Sequence, residues 1–138
     1  MANYGLNIWG NNNFVIENGK VCINKGLKPA LYDIVEEIRQ DGIRGPVLLR
    51  FPHLIKKQID MVYNNFRKAK VEFNYEGSFN AVYPLKVNQY PGFVKNLVEI
   101  GKPYGYGLEA GSKAELLLAM AYNNDEHPLR SMALKTKR

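Results

Sequence analysis

Phe79-Asn80-Ala81-Val82-Tyr83-Pro84-Leu85-Lys86-Val87 is a mostly apolar run, rich in aromatic and branched side chains, with one charge near its end. It reads as a β-strand. Alternation places Phe79, Ala81, Tyr83 and Leu85 on one face, and Asn80, Val82, Pro84 and Lys86 on the other. On both sides of this run the period changes. Residues 53–70 carry Ile55, Ile59, Val62 and Phe66 at spacings of three and four, which predicts a helix. Residues 91–100 predict another helix. Tyr106-Gly107-Leu108-Glu109-Ala110 is a second strand, followed by a helix over residues 112–122. Upstream, Pro46-Val47-Leu48-Leu49-Arg50-Phe51 reads as a short apolar strand. Before it, residues 29–40 predict a helix with Leu31, Ile34, Val35 and Ile38 on one face, Pro29 in its first turn and Gly42 at its stop. Strands alternating with helices in this way predict parallel βα units and an α/β fold.

The first residues differ. Residues 4–23 are aromatic and β-branched, with Leu6 and Ile8 in one expected strand and Phe14, Val15 and Ile16 in the next. Asn18-Gly19 between residues 14–17 and 20–23 is a two-residue hairpin signal. The expected organisation is an N-terminal β segment over 1–26, βα units over 27–125, and a divergent basic tail over 126–138. The units are too few to close an eight-stranded barrel of about 250 residues. Either they form a small open sheet, or they belong to something larger.

Composition excludes several classes. With 138 residues, 46% hydrophobic and 23% charged, the chain suits one globular domain rather than a disordered segment. A single cysteine, Cys22, allows no internal disulfide, and inert burial is its expected state. No basic stretch followed by an apolar run opens the chain, and no apolar run approaches 20 residues, so a cytoplasmic protein without a membrane span is expected. Half of the net charge of +6 lies in the 13-residue tail, since residues 1–125 carry 15 Lys and Arg against 12 Asp and Glu and are only mildly basic. Nucleic-acid binding is therefore not expected. Gly105-Tyr106-Gly107 does not continue as G-x-G-x-x-G, and His53 and His127 have no partner at metal-ligand spacing. Trp9 is expected to pack in a core or interface.

Three residues carry candidate chemistry. Lys86 lies at the C-terminal end of its strand, where parallel α/β folds bind ligands. A lysine partly desolvated there can act as an amine nucleophile toward an aldehyde. Position alone equally suits a strand-end lysine reaching solvent. Glu109 ends the next strand, where a carboxylate could pair with Lys86 or polarise a cofactor. Glu115 follows in Ser112-Lys113-Ala114-Glu115, which also has the form of a helix capping box, and capping is its better reading from the residues alone.

Ala81-Val82-Tyr83-Pro84-Leu85-Lys86-Val87-Asn88-Gln89 closely resembles the lysine segment of the biosynthetic arginine decarboxylases. Leu108-Glu109-Ala110-Gly111-Ser112-Lys113-Ala114-Glu115-Leu116 resembles their next strand–helix junction. Arg50-Phe51-Pro52 and Tyr4-Gly5-Leu6-Asn7-Ile8-Trp9-Gly10 are similar too, so the resemblance runs from about residue 3 to 125. It implies a fold-type III pyridoxal-phosphate enzyme, built from a (β/α)8 barrel and a mostly β domain that the N-terminal segment joins. Only the first βα units of that barrel are present. The resemblance implies that Lys86 is the cofactor-bearing, catalytic lysine, with Glu109 and Glu115 as cofactor-binding acids beside it. The reaction would convert arginine to agmatine and carbon dioxide in polyamine biosynthesis. The family is homo-oligomeric and requires Mg²⁺, for which no ligands can be assigned here. The alternative is a non-catalytic fragment that binds pyridoxal phosphate or a full-length homologue.

The departure from the family is at the end. The histidine that stacks on the ring, the glycine-rich phosphate loop and the acid that pairs the pyridine nitrogen are all missing. After Asn123-Asn124-Asp125 the resemblance stops. Residues 129–138 can be written in permitted codons that, read with the first two bases dropped, encode Thr-Val-Asn-Gly-Phe-Lys-Asp, the family's continuation. A frameshift near residue 126 is the expectation. Genomic sequencing checks it, and a downstream region with no decarboxylase-like continuation in another frame refutes it.

Overall fold

The structure, a computed structural model, describes residues 4–122. The chain divides into two units, one ending at Arg50 and the other beginning at Phe51.

The first unit is built on a hairpin. Strands β1 (Phe14–Glu17) and β2 (Lys20–Ile23) pair antiparallel, with Phe14 opposite Ile23 and Glu17 opposite Lys20. Between them Asn18 and Gly19 have φ of 50° and 76°. Both central residues of a type I′ turn need that left-handed region, and Asn-Gly is the pair that adopts it most readily. Cys22 is buried on β2. Helix α2 (Leu31–Gln40) packs against β2 and stops as the sequence predicts. The Gly42 amide donates to the Arg39 carbonyl and the Ile43 amide to the Ile38 carbonyl, the two bonds of a Schellman ending. Pro29 is not in the first turn of α2. Its carbonyl accepts the Ile23 amide beside the hairpin, and Ala30 caps the helix.

Two expected strands are absent. Leu6 and Ile8 lie in a single helical turn, α1 (Leu6–Trp9), so the opening segment is not all β. Gly10 closes that turn by donating to the Leu6 carbonyl at 2.9 Å. A Cβ at position 10 would stand 2.5 Å from the same oxygen, so only glycine fits. Asn11 and Asn12 then take left-handed φ and turn the chain toward the hairpin. Trp9 is 53% exposed rather than core, and its indole N–H donates to the Tyr4 carbonyl at 2.8 Å. Residues 46–51 form no strand either. A strand exists only through a pairing neighbour, and none of the described strands supplies one to this run.

In the second unit, α3 (Pro52–Glu72) is 21 residues long and starts on Pro52, whose missing N–H costs nothing in a first turn. Strands β3 (Val82–Pro84) and β4 (Gly107–Glu109) pair parallel, with Val82 opposite Gly107 and Pro84 opposite Glu109. Helix α4 (Pro91–Gly101) connects them, and α5 (Lys113–Tyr122) follows β4. This is the predicted βα order in a mixed α/β fold. The strand expected over residues 79–87 is shorter than its apolar run. Pro84 has no N–H for a ladder, and from Leu85 to Val87 the chain forms a 3-10 turn. Leu85 and Val94 are wholly buried, in a core with Ile59, Leu97, Leu108, Ala110 and Ala119. No described helix is long and apolar enough to cross a membrane. The expectations for 126–138, and for His127, fall outside the described residues.

Candidate functional site at the ends of the parallel strands

Parallel pairing carries the C-terminal ends of β3 and β4 to one side. Pro84 lies opposite Glu109, so the turn bearing Lys86 leaves β3 beside the point where β4 ends. Helix α5 packs against that turn. Topology thus places Lys86, Glu109 and the start of α5 at the same end of the sheet.

Lys86 does not sit on the strand itself, as alternation implied, but on the 3-10 turn after it. Its side chain is exposed, while the preceding Leu85 is fully buried and anchors the turn. Glu109 is half-buried. Neither residue takes part in an ion pair among the described residues. The site therefore presents an amine that no carboxylate holds.

Glu115 has a structural task. Its amide donates to the Ser112 hydroxyl at 3.2 Å, and its carboxylate accepts the Gly111 amide at 2.7 Å. This is the reciprocal capping that Ser112-x-x-Glu115 predicts, with the carboxylate reaching one residue further back than in the usual box. It satisfies two donors that a helix start would otherwise leave open.

Two features escaped the sequence. One is an apolar cavity of about 400 Å³ on the α3 side of β3, lined by Phe51, Leu54, Ile55, Tyr83, Phe93 and Tyr106 among others. Lys86, Glu109 and Glu115 do not line it. The other joins α3 to the loop before β4. The Lys56 ammonium lies 2.8 Å from an Asp60 oxygen and 3.0 Å from the Tyr104 hydroxyl, and that hydroxyl donates to the other Asp60 oxygen. The hydrogen bond to Asp60, then that to Tyr104, raises the Lys56 pKa above the ordinary lysine range. The same bond from Lys56, then Tyr104, lowers the Asp60 pKa below the usual carboxylate range. A lowered acid pKa gives stability that is present above the unfolded value and lost as pH falls through the folded one. A raised lysine pKa gives stability that is present below the unfolded value and lost as pH rises through the folded one. Asp60→Asn should therefore lower the thermal midpoint near neutrality and make no difference once the pH lies below the folded Asp60 pKa. Parallel melting curves across pH check this, and a gap that persists in acid contradicts it.

Among the described residues no cluster of three or more His, Cys, Asp or Glu could hold a metal ion.

Comparison with known proteins gives a consistent result, although no family model matches the chain. A biosynthetic arginine decarboxylase from Prochlorococcus marinus strain MIT 9303 is 36% identical over 133 residues, covering 93% of this chain and 20% of the relative. One from Tolumonas auensis is 38% identical over 130 residues, covering 88% of the chain and 20% of the relative. The crystal structure of the biosynthetic arginine decarboxylase from Campylobacter jejuni matches with a TM-score of 0.87 and 68% identity, over 96% of this chain and 23% of that one. The chain thus spans about a fifth of the curated relatives it matches.

Proposed function

Because this chain is homologous to one segment of the biosynthetic arginine decarboxylases, we propose that it supplies the N-terminal portion of an enzyme converting arginine to agmatine and carbon dioxide. The supporting observation is the 68% identity to the Campylobacter jejuni decarboxylase across 96% of this chain. On this reading the βα units are the start of a (β/α)8 barrel over residues 27–125, and residues 1–26 join a β domain. The complete enzyme is a cytoplasmic homo-oligomer in polyamine biosynthesis. Its Mg²⁺ requirement is a family expectation, with no ligand set assigned among the described residues.

Pyridoxal phosphate suits the chemistry of this strand end. When bound, it supplies an aldehyde for an amine and a ring that takes up the electron pair left by departing carbon dioxide. Lys86 would hold it, because an exposed amine without a carboxylate partner is open to a ligand. In neutral form its Nζ carries the lone pair that attacks a carbonyl carbon. Glu109, at the end of β4, adds negative charge near a positively charged substrate or ring. Glu115 contributes by fixing the start of α5 beside the Lys86 turn.

The test is exchange. Residues 1–122 replace the matching segment of the Campylobacter jejuni decarboxylase, and release of labelled carbon dioxide from arginine is measured. The expected rate lies within about tenfold of the parent, which corresponds to about 1.4 kcal/mol of barrier. A folded, oligomeric exchange protein with no turnover would overturn the reading.

A further inference from the structure

We propose that Tyr83 and Asn88 are positioning residues that fix the direction of the Lys86 amine. The inference rests on the reading of Lys86 as the amine that captures an aldehyde. Lys86 sits in the middle of a three-residue 3-10 turn, Leu85–Val87. One such turn fixes several backbone dihedrals for very few hydrogen bonds and has little stability of its own. Leu85 and α5 hold the turn from the core side, while Val87 on its far side is 66% exposed. Something else must hold that side.

Two side chains do so. The Tyr83 hydroxyl donates to the Asn88 carbonyl at 3.4 Å, spanning the whole turn from the strand before it to the residue after it. The Asn88 side-chain oxygen accepts the Tyr90 amide at 3.0 Å, an Asx-type turn. The Tyr90 carbonyl then accepts the Phe93 and Val94 amides, both at 3.0 Å, so Asn88 is tied to the first turn of α4. The Tyr83 ring packs against Phe93 with centroids 5.5 Å apart, which couples the same two elements a second time. Burial raises the Tyr83 pKa, so its hydroxyl stays a donor through the neutral range. Neither side chain is bonded to Lys86 itself. Both act on the backbone that carries it. A long flexible side chain reaches a fixed aldehyde efficiently only if its own Cα is fixed, and orientation is a large share of an intramolecular rate.

The experiment uses the exchange enzyme described above, stripped of cofactor. Addition of pyridoxal phosphate is followed by absorbance, and borohydride reduction with peptide mapping locates the label. Asn88→Ala should slow capture about tenfold, the size of one lost hydrogen bond. Asn88→Asp keeps an oxygen acceptor at the same place and should restore capture to within about twofold of the parent. Tyr83→Phe, which removes the longer bond, should slow capture about threefold. Thermal melting separates these effects from unfolding, and the two conservative variants decide the matter if Asn88→Ala does not fold. Label on Lys86 with capture rates unchanged in all three variants overturns the positioning role while leaving the Lys86 assignment standing. Slowed capture by Asn88→Asp equal to that of Asn88→Ala also overturns it. Absence of label on Lys86 in the parent overturns the assignment and this inference together.

Discussion

A polypeptide of these 138 residues, supplied with pyridoxal phosphate and Mg²⁺, should release no carbon dioxide from arginine above the rate of free cofactor. The chain covers about a fifth of the decarboxylases it matches. Among the described residues β3 and β4 pair only with each other, so each presents an unpaired edge. On the proposed reading Lys86 offers an amine, but no phosphate or pyridine-nitrogen partner is assigned among the described residues. A tethered but unoriented cofactor forfeits much of the about 7–11 kcal/mol that orientation can supply. Each missing electrostatic contact costs a further few kcal/mol, on the scale of about 2.7–4 kcal/mol for the loss of one oxyanion-hole donor. At about 1.4 kcal/mol per factor of ten, the combined loss takes the rate below detection. The assay is labelled carbon dioxide release by the purified chain. Turnover above the free cofactor, in a preparation free of host decarboxylase, would show that the first βα units suffice.

In the exchange enzyme, Lys86→Ala should abolish cofactor attachment and lower turnover by at least about 10³-fold. The estimate follows from orientation: an amine fixed at the reacting centre is worth several kcal/mol over one delivered from solution. Lys113 is the nearest rival in sequence. It is exposed at the first position of α5, on the far side of the Gly111–Ser112 cap. Borohydride trapping with peptide mapping decides between them. Label on Lys113 with Lys86 unmodified would move the site to the start of α5.

Where the sequence carried a long periodic signal, the fold follows it. Helices α2, α3, α4 and α5, the parallel order of β3 and β4, and the Asn18-Gly19 hairpin all appear where the pattern puts them. The failures are short or depend on a distant partner. Over the four residues Leu6–Trp9, alternation and helical spacing cannot be told apart, and the close approach of Gly10 to Leu6 decided for the helix. The run 46–51 has strand character in its side chains, but a strand is a relation between two segments. Lys86 follows the C-terminal end of β3, the end at which the strand pattern puts it. Its turn is not legible in that pattern, because the stop depends on Pro84, which ends the ladder two residues earlier. The link between Tyr104 and Asp60 joins residues 44 apart and leaves no local trace.

The 21 residues of α3 have a further consequence. At 1.5 Å per residue the helix is about 30 Å long, while the three residues of β3 reach about 10 Å. The helix is thus about three times as long as the strand. Rings from the segment that joins the two pack against it. Phe66, in the C-terminal half of α3, stacks on Phe79 with centroids 4.0 Å apart and meets the edge of Tyr75 at 6.2 Å. Phe79 in turn meets Tyr63, whose hydroxyl accepts the Ala81 amide just before β3 begins. Rings of α3 thus hold the segment that leads into β3, upstream of the lysine.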